Sequence, residues 1–203
     1  MGLENLEHPF MALDLELNNA PDHSTPNPKI IQVGVAFGTW EQYKDNAIVT
    51  KKWYIDPQEP IYPFITNLTG ITDEDVANGL QHSVIGQELG AMIEQHRPFV
   101  NPVTWGGGDS VELLAEFKQR GIAFPHFGRR WIDVKTWYVM HMLSVGKTPA
   151  GGLKSAMAQF KIPFKGQAHR ADVDAHNTLR FFFALLERQS NINKIIKASK
   201  EIL

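Results

Sequence analysis

The clearest pattern along the chain is an apolar run broken twice by acid. Residues 10–17, FMALDLEL, read as a buried strand interrupted at Asp14 and Glu16. Strand side chains alternate in direction, so both carboxylates point one way while Leu13, Leu15 and Leu17 point the other. The Asn- and Pro-rich stretch NNAPDHSTPNP that follows marks a loop. IIQVGVAF (30–37) and IVTKKWYI (48–55) then predict two more strands. Three strands in quick succession predict an antiparallel start to a sheet.

The middle of the chain changes period. Thr72 ahead of DEDVANGL reads as a helix N-cap, with Asp75 three residues later. A second helix is predicted over 85–97, where Leu89, Met92, Ile93 and His96 share a face. FVNPVTW reads as a strand and GGG as a tight connection. DSVELLAEFKQRG reads as a helix ending near Gly121, with Val111, Leu114 and Phe117 as its apolar face. WIDV is a short strand, VKTWYVMHML a helix, 151–160 another helix, and Pro163–Gly166 a loop. ADVDAHNTLRFFFALLERQ is the strongest helix, and a separate amphipathic helix is predicted over about 191–203. Strands first, then helix and strand in alternation, indicate an α/β fold with a mixed sheet flanked by helices. With no internal repeat or long linker, one domain over 1–203 is the simplest reading.

Composition narrows the chemistry. At 203 residues and 43% hydrophobic, the chain can bury a substantial core. No stretch approaches the ~20 apolar residues that span a bilayer. The opening MGLENLEHPF lacks the layout of a secretory signal, and Leu6 stands where myristoylation wants Ser or Thr. With no cysteine, thiolate zinc sites and a cysteine nucleophile are excluded. A cytoplasmic protein is the expectation. The net charge of −2 hides an asymmetry: residues 1–109 hold 5 Lys+Arg against 15 Asp+Glu, and residues 110–203 hold 15 against 7. That split suits an acidic metal site beside a basic path for a phosphate backbone, or simply a segregated solvated surface.

Asp14 and Glu16 on one face of an apolar strand would repel each other and lose hydration if left alone. Mg²⁺ or Mn²⁺, which take hard oxygen ligands, would compensate them; a water-facing edge strand is the structural alternative. Asp109 follows three glycines and has Glu112 three positions on, so D-S-V-E also reads as a capping box. His169 and Asp174 are five apart. If a helix starts near Asp172, with Asp172 as its cap, His169 sits in the preceding loop and Asp174 faces inward from the first turn. His176 is not assigned to metal.

Taken together, D-x-E near the start, a central Asp, and H-x4-D before a long helix resemble the DEDDh 3′–5′ exonucleases. These form part of the proofreading-exonuclease superfamily, with an RNase H-like fold. The resemblance spans roughly residues 10–188 and is reinforced by FITNLTGITDEDV and WIDVKTWYVM. Gln32 departs from the Glu common at its position, and WGGGD replaces the commoner Asn- and Phe-containing context before the second acid.

The resemblance implies two divalent ions, ~3.5–4 Å apart, Mg²⁺ or Mn²⁺. Asp14 would bridge them, Glu16 and Asp174 would complete one site, and Asp109 would hold the other. His169 would be the general base, and a nucleoside 5′-monophosphate the product. Leu68 and Thr69 are candidates for gripping the terminal nucleotide, Phe64 and Phe164 for stacking bases, and Lys165 and Arg170 for phosphate contacts. The expected partner is the 3′ end of single-stranded DNA or RNA. An oligoribonuclease-like phosphodiesterase and a non-cutting nucleic-acid-binding module are the competing readings. Ile192, Ile195, Ile196 and Ile202 would pack on the core or mediate a homodimer.

Overall fold

Three long antiparallel strands carry the sheet: β1 (Phe10–Asn18), β2 (Lys29–Gly38) and β3 (Val49–Tyr54). Two short strands, β4 (Val103–Thr104) and β5 (Ile132–Asp133), extend it in parallel, giving the order β3-β2-β1-β4-β5. Helices α1 (Trp40–Lys44), α2 (Pro63–Thr69), α3 (Asp73–Ala77), α4 (His82–His96), α5 (Gly108–Gln119), α6 (Val134–Ser144), α7 (Leu153–Gln159) and α8 (Ala171–Lys200) surround it. This computed structural model describes residues 3, 6–22, 24–123, 127 and 130–200. Among them no helix is long and apolar enough to cross a membrane.

The sheet has a core on each face. Met11, Leu13 and Leu15 of β1 pack with Ile85 and Leu89 of α4 and with Leu113 and Phe117 of α5. Phe10 and Ala12 face the other way, onto Leu179, Phe182 and Phe183 of α8 and Tyr138 of α6. Phe181 and Phe183 are completely buried, and truncating either to Ala would cost about 3–5 kcal/mol. The aromatic run in the middle of α8 thus anchors the helix whose first turn reaches the carboxylates of β1.

Several elements differ from expectation for identifiable reasons. The predicted strand over 99–105 shrinks to two residues, since Pro102 has no N–H to give a ladder; its carbonyl accepts from Ile132 N (2.8 Å). α2 arises inside a segment with no helical period: Pro63 sets the first turn and Gly70, at φ +72°, ends it. Thr72 and Asp75 form the capping box. On α5 the inward face is Leu113, Glu116 and Phe117, while Val111 and Leu114 lie exposed. The predicted separate C-terminal helix merges into α8, which runs unbroken because no Gly or Pro interrupts residues 171–200. On its outer end Ile192 and Ile195 are exposed, and Ile202 lies outside the described residues.

Candidate active site

Strand alternation sets Asp14 and Glu16 on the α8 face of β1, with Leu13 and Leu15 in the opposite core. Their partners across the β1–β2 ladder are Gly34, opposite Asp14, and Gln32, opposite Glu16. Both shape the site. A Cβ on Gly34 would lie 2.0 Å from the carbonyl carbon of Ala171, so only glycine lets α8 begin this close to the sheet. Gln32, fully buried, accepts the Ala171 N–H through Oε1 (2.7 Å). The start of α8 is therefore fixed directly over β2, and Asp174 in its first turn is brought to β1.

Asp14, Glu16 and Asp174 each offer a carboxylate oxygen, and these three lie within 4.8 Å of one another. Asp109 approaches from the first turn of α5. The N-cap of that helix is Gly107 with no side-chain capping bond, so the capping-box reading of Asp109 does not hold; its carboxylate accepts from its own backbone N–H. His169 sits in the loop before α8, exposed, at φ +62°, and its backbone N–H donates to Asp174 Oδ2 (2.9 Å). Asp172 pairs with Lys52 (3.8 Å).

Removal from water is the main cause of a collective electrostatic problem. Burial, then the charges of Asp109, Glu16 and Asp174, push Asp14 well above the ordinary carboxylate range. Glu16 is pushed up to about 8 by burial and by Asp174 and Asp109, against a smaller opposing pull from Arg170. Burial lifts Asp109 to about 7 and Asp174 to about 6, the latter restrained by the N–H and charge of His169. Among the described residues none of the four forms an ion pair. Four converging carboxylates without a cation suit hard divalent ions, which favour the ionised forms. The group Asp14, Glu16 and Asp174 could hold such an ion.

The candidate substrate contacts divide. Leu68 and Phe64, four apart on α2, are both exposed, at 37% and 38%. Thr69 is buried and its hydroxyl is used internally, donating to Ile65 O (2.8 Å) and accepting from Ile71 N (3.0 Å). Its side chain is therefore not available to a nucleotide. Lys165 donates to Asn46 in the turn after α1. Arg170 lies over the Tyr54 ring, 5.8 Å from its centroid, and donates to the Tyr54 hydroxyl. Phe164 is half-buried beneath Lys154, 6.0 Å from the ring centroid. His176 is held down to about 4 by burial and by Arg180 and Lys165.

In the sequence Gln32 stands out only as a departure, and Gly34 is not singled out. A polar residue inside a buried strand and a glycine opposite an acid were the available signals.

A family model described as exonuclease, of the RNase T type, matches residues 12–182. No curated protein matches the chain by sequence. Among solved structures, the nuclease domain of 3′hExo, a DEDDh family member bound to rAMP, is similar at TM-score 0.78 and 17% identity, covering 92% of this chain and 95% of that one. Cell-death related nuclease 4 is similar at TM-score 0.73 and 16% identity, over 92% of this chain and 64% of that one. Exonuclease I matches at TM-score 0.65 and 15% identity, over 92% and 42%. Sheet order and flanking helices agree with the DEDDh exonuclease nuclease fold. The chain belongs to the RNase T-type exonuclease family.

Proposed function

We propose that this protein is a divalent-metal-dependent 3′–5′ exonuclease that releases nucleoside 5′-monophosphates from single-stranded DNA or RNA. The observation that carries the reading is the convergence of Asp14, Glu16 and Asp174, with oxygens within 4.8 Å, and of Asp109, whose charge acts on both Asp14 and Glu16. Two divalent ions would be held by Asp14, Glu16 and Asp174, with Asp109 completing the set. When bound, they would supply positive charge for the scissile phosphate and for the attacking and leaving oxygens.

The chain's own groups do the rest. His169 takes a proton from the water that attacks phosphorus; the new P–O bond forms as the bond to the 3′ oxygen breaks, and that oxygen is reprotonated from solvent. The exposed ring of His169 can meet a substrate from solvent, while its backbone is tethered to Asp174. Leu68 and Phe64 offer an apolar surface to the terminal bases. Arg170, braced on Tyr54, offers its guanidinium to a phosphate. Of the similar structures, one is bound to rAMP and another concerns 3′-end recognition of a histone mRNA stem-loop, which favours RNA as the first substrate to try.

The test is product release from 3′-labelled and 5′-labelled single strands of DNA and RNA, with Mg²⁺, with Mn²⁺ and with EDTA. Metal-dependent mononucleotide release from the 3′ end is expected. Intact substrates from folded protein would sink the reading, and activity confined to the shortest members of a chain-length series would favour the oligoribonuclease-like alternative.

A further inference from the structure

The loop over 163–170 delivers His169, and it is held in place by far more than its length requires. Asn177, fully buried in the second turn of α8, accepts the Lys165 N–H through Oδ1 (3.0 Å) and donates through Nδ2 to Lys165 O (2.8 Å) and Val173 O (2.8 Å). Arg180, 7% exposed, donates through Nη1 to Pro163 O (2.9 Å) and to the same Asn177 Oδ1 (2.8 Å). Asn177 thus forms four bonds, every one to the loop, to Arg180 or to its own helix. Buried polar groups this well satisfied fix one backbone geometry, because any displacement leaves several of them unpaired at once.

That geometry is one the loop would not choose alone. Gly166 sits at φ +83° and His169 at φ +62°, a left-handed conformation that costs a non-glycine residue. Gln167 adds a bond to Thr69 O (3.3 Å), and the far end is held by Arg170 on Tyr54 and Ala171 on Gln32. The near end depends on Asn177 and Arg180.

We propose that Asn177 and Arg180 are positioning residues for His169: they clamp the 163–166 arm of the loop to α8 and so hold the His169 backbone in its left-handed conformation against Asp174. This rests on the exonuclease reading for its catalytic meaning, but its structural content stands apart.

The experiment uses Asn177→Ala in the wild-type and His169→Ala backgrounds, with steady-state cleavage of single-stranded RNA and amide exchange at His169. Asn177 does not touch the His169 N–H, so that exchange reports transmission along the loop. Expected are a kcat loss of about 10–100-fold with KM within about threefold, and exchange at His169 at least about tenfold faster. In the His169→Ala background the second substitution is expected to cost little more, since residues acting as a unit are non-additive. Equal losses in both backgrounds, or unchanged exchange at His169, would overturn the proposal. Arg180→Ala, which removes the bond to Pro163 O while leaving Asn177 on Lys165, is expected to move the same readouts in the same direction and decides if Asn177→Ala fails to fold. If the wild type cuts nothing, the exonuclease reading fails, and exchange at His169 alone judges the clamp.

Discussion

Asp14 has three carboxylates for neighbours and little water, so its charge works against the fold and is tolerable only with a cation present. Asp14→Asn keeps the shape and removes the charge. In EDTA this variant is expected to melt higher than wild type by a few °C, checked by thermal unfolding. With Mg²⁺ or Mn²⁺ it is expected to lose about 10³-fold or more in cleavage, about 4 kcal/mol of barrier. A variant that is less stable in EDTA than wild type would show that Asp14 is satisfied by something other than a metal. Thr69 marks the opposite case: its place in a motif invited a binding role, but its hydroxyl closes the end of α2.

Among the elements, α8 decides where the chemistry assembles, and Gly34 decides how closely α8 can lie. Gly34→Ala would drive a methyl into the Ala171 backbone, which cannot rotate away. The expected cost is about 1–3 kcal/mol in a urea titration, with a loss of activity from displacing Asp174 and His169. Unchanged stability and activity would mean that the helix start is free to shift. The strands and the long helices were legible because their periods are long and clean; Asp14 and Glu16 stood out as carboxylates in an apolar strand, whereas Asp109, His169 and Asp174 were singled out only by the order of motifs that resembles the DEDDh exonucleases. Local pattern hid what depends on tertiary contact. Asn177 looks like any polar residue one turn after Asp174 until the Lys165 backbone is seen against it. Val111 and Leu114 fit an apolar helical face as well as Leu113 does, and only the docking of α5 separates them. The fusion of the last two predicted helices turned on a missing breaker, which is weak information.

For the whole molecule the cluster makes stability depend on pH in an unusual direction. The folded state holds Asp109 at about 7, Glu16 at about 8 and Asp14 well raised, whereas in the unfolded chain all three titrate near their ordinary values. The folded form therefore binds more protons, so stability is full below the unfolded values and is lost as pH rises through the folded ones. His176, held down to about 4, and His141, also lowered by burial, oppose this below their ordinary value of 6.5, which leaves the range from pH 6.5 to about 8 as the clean window. Glu116 does not intrude there. Burial alone would raise it, but His82 (2.6 Å), the Ile30 N–H and Arg120 outweigh that and hold it below 4.5. Without metal, the melting temperature is expected to fall across this window. Excess Mg²⁺ or Mn²⁺ is expected to raise it and flatten the dependence, since an ion that binds only the folded state stabilises by mass action. A flat profile in EDTA would contradict the reading.

Because the four carboxylates come from β1, α5 and α8, they meet only when the chain is folded. Heat-tolerance screens therefore select differently depending on the buffer. In chelator, the survivors would be enriched in clones that have neutralised the cluster and lost their function. With divalent ions present, the same library would be spared that loss.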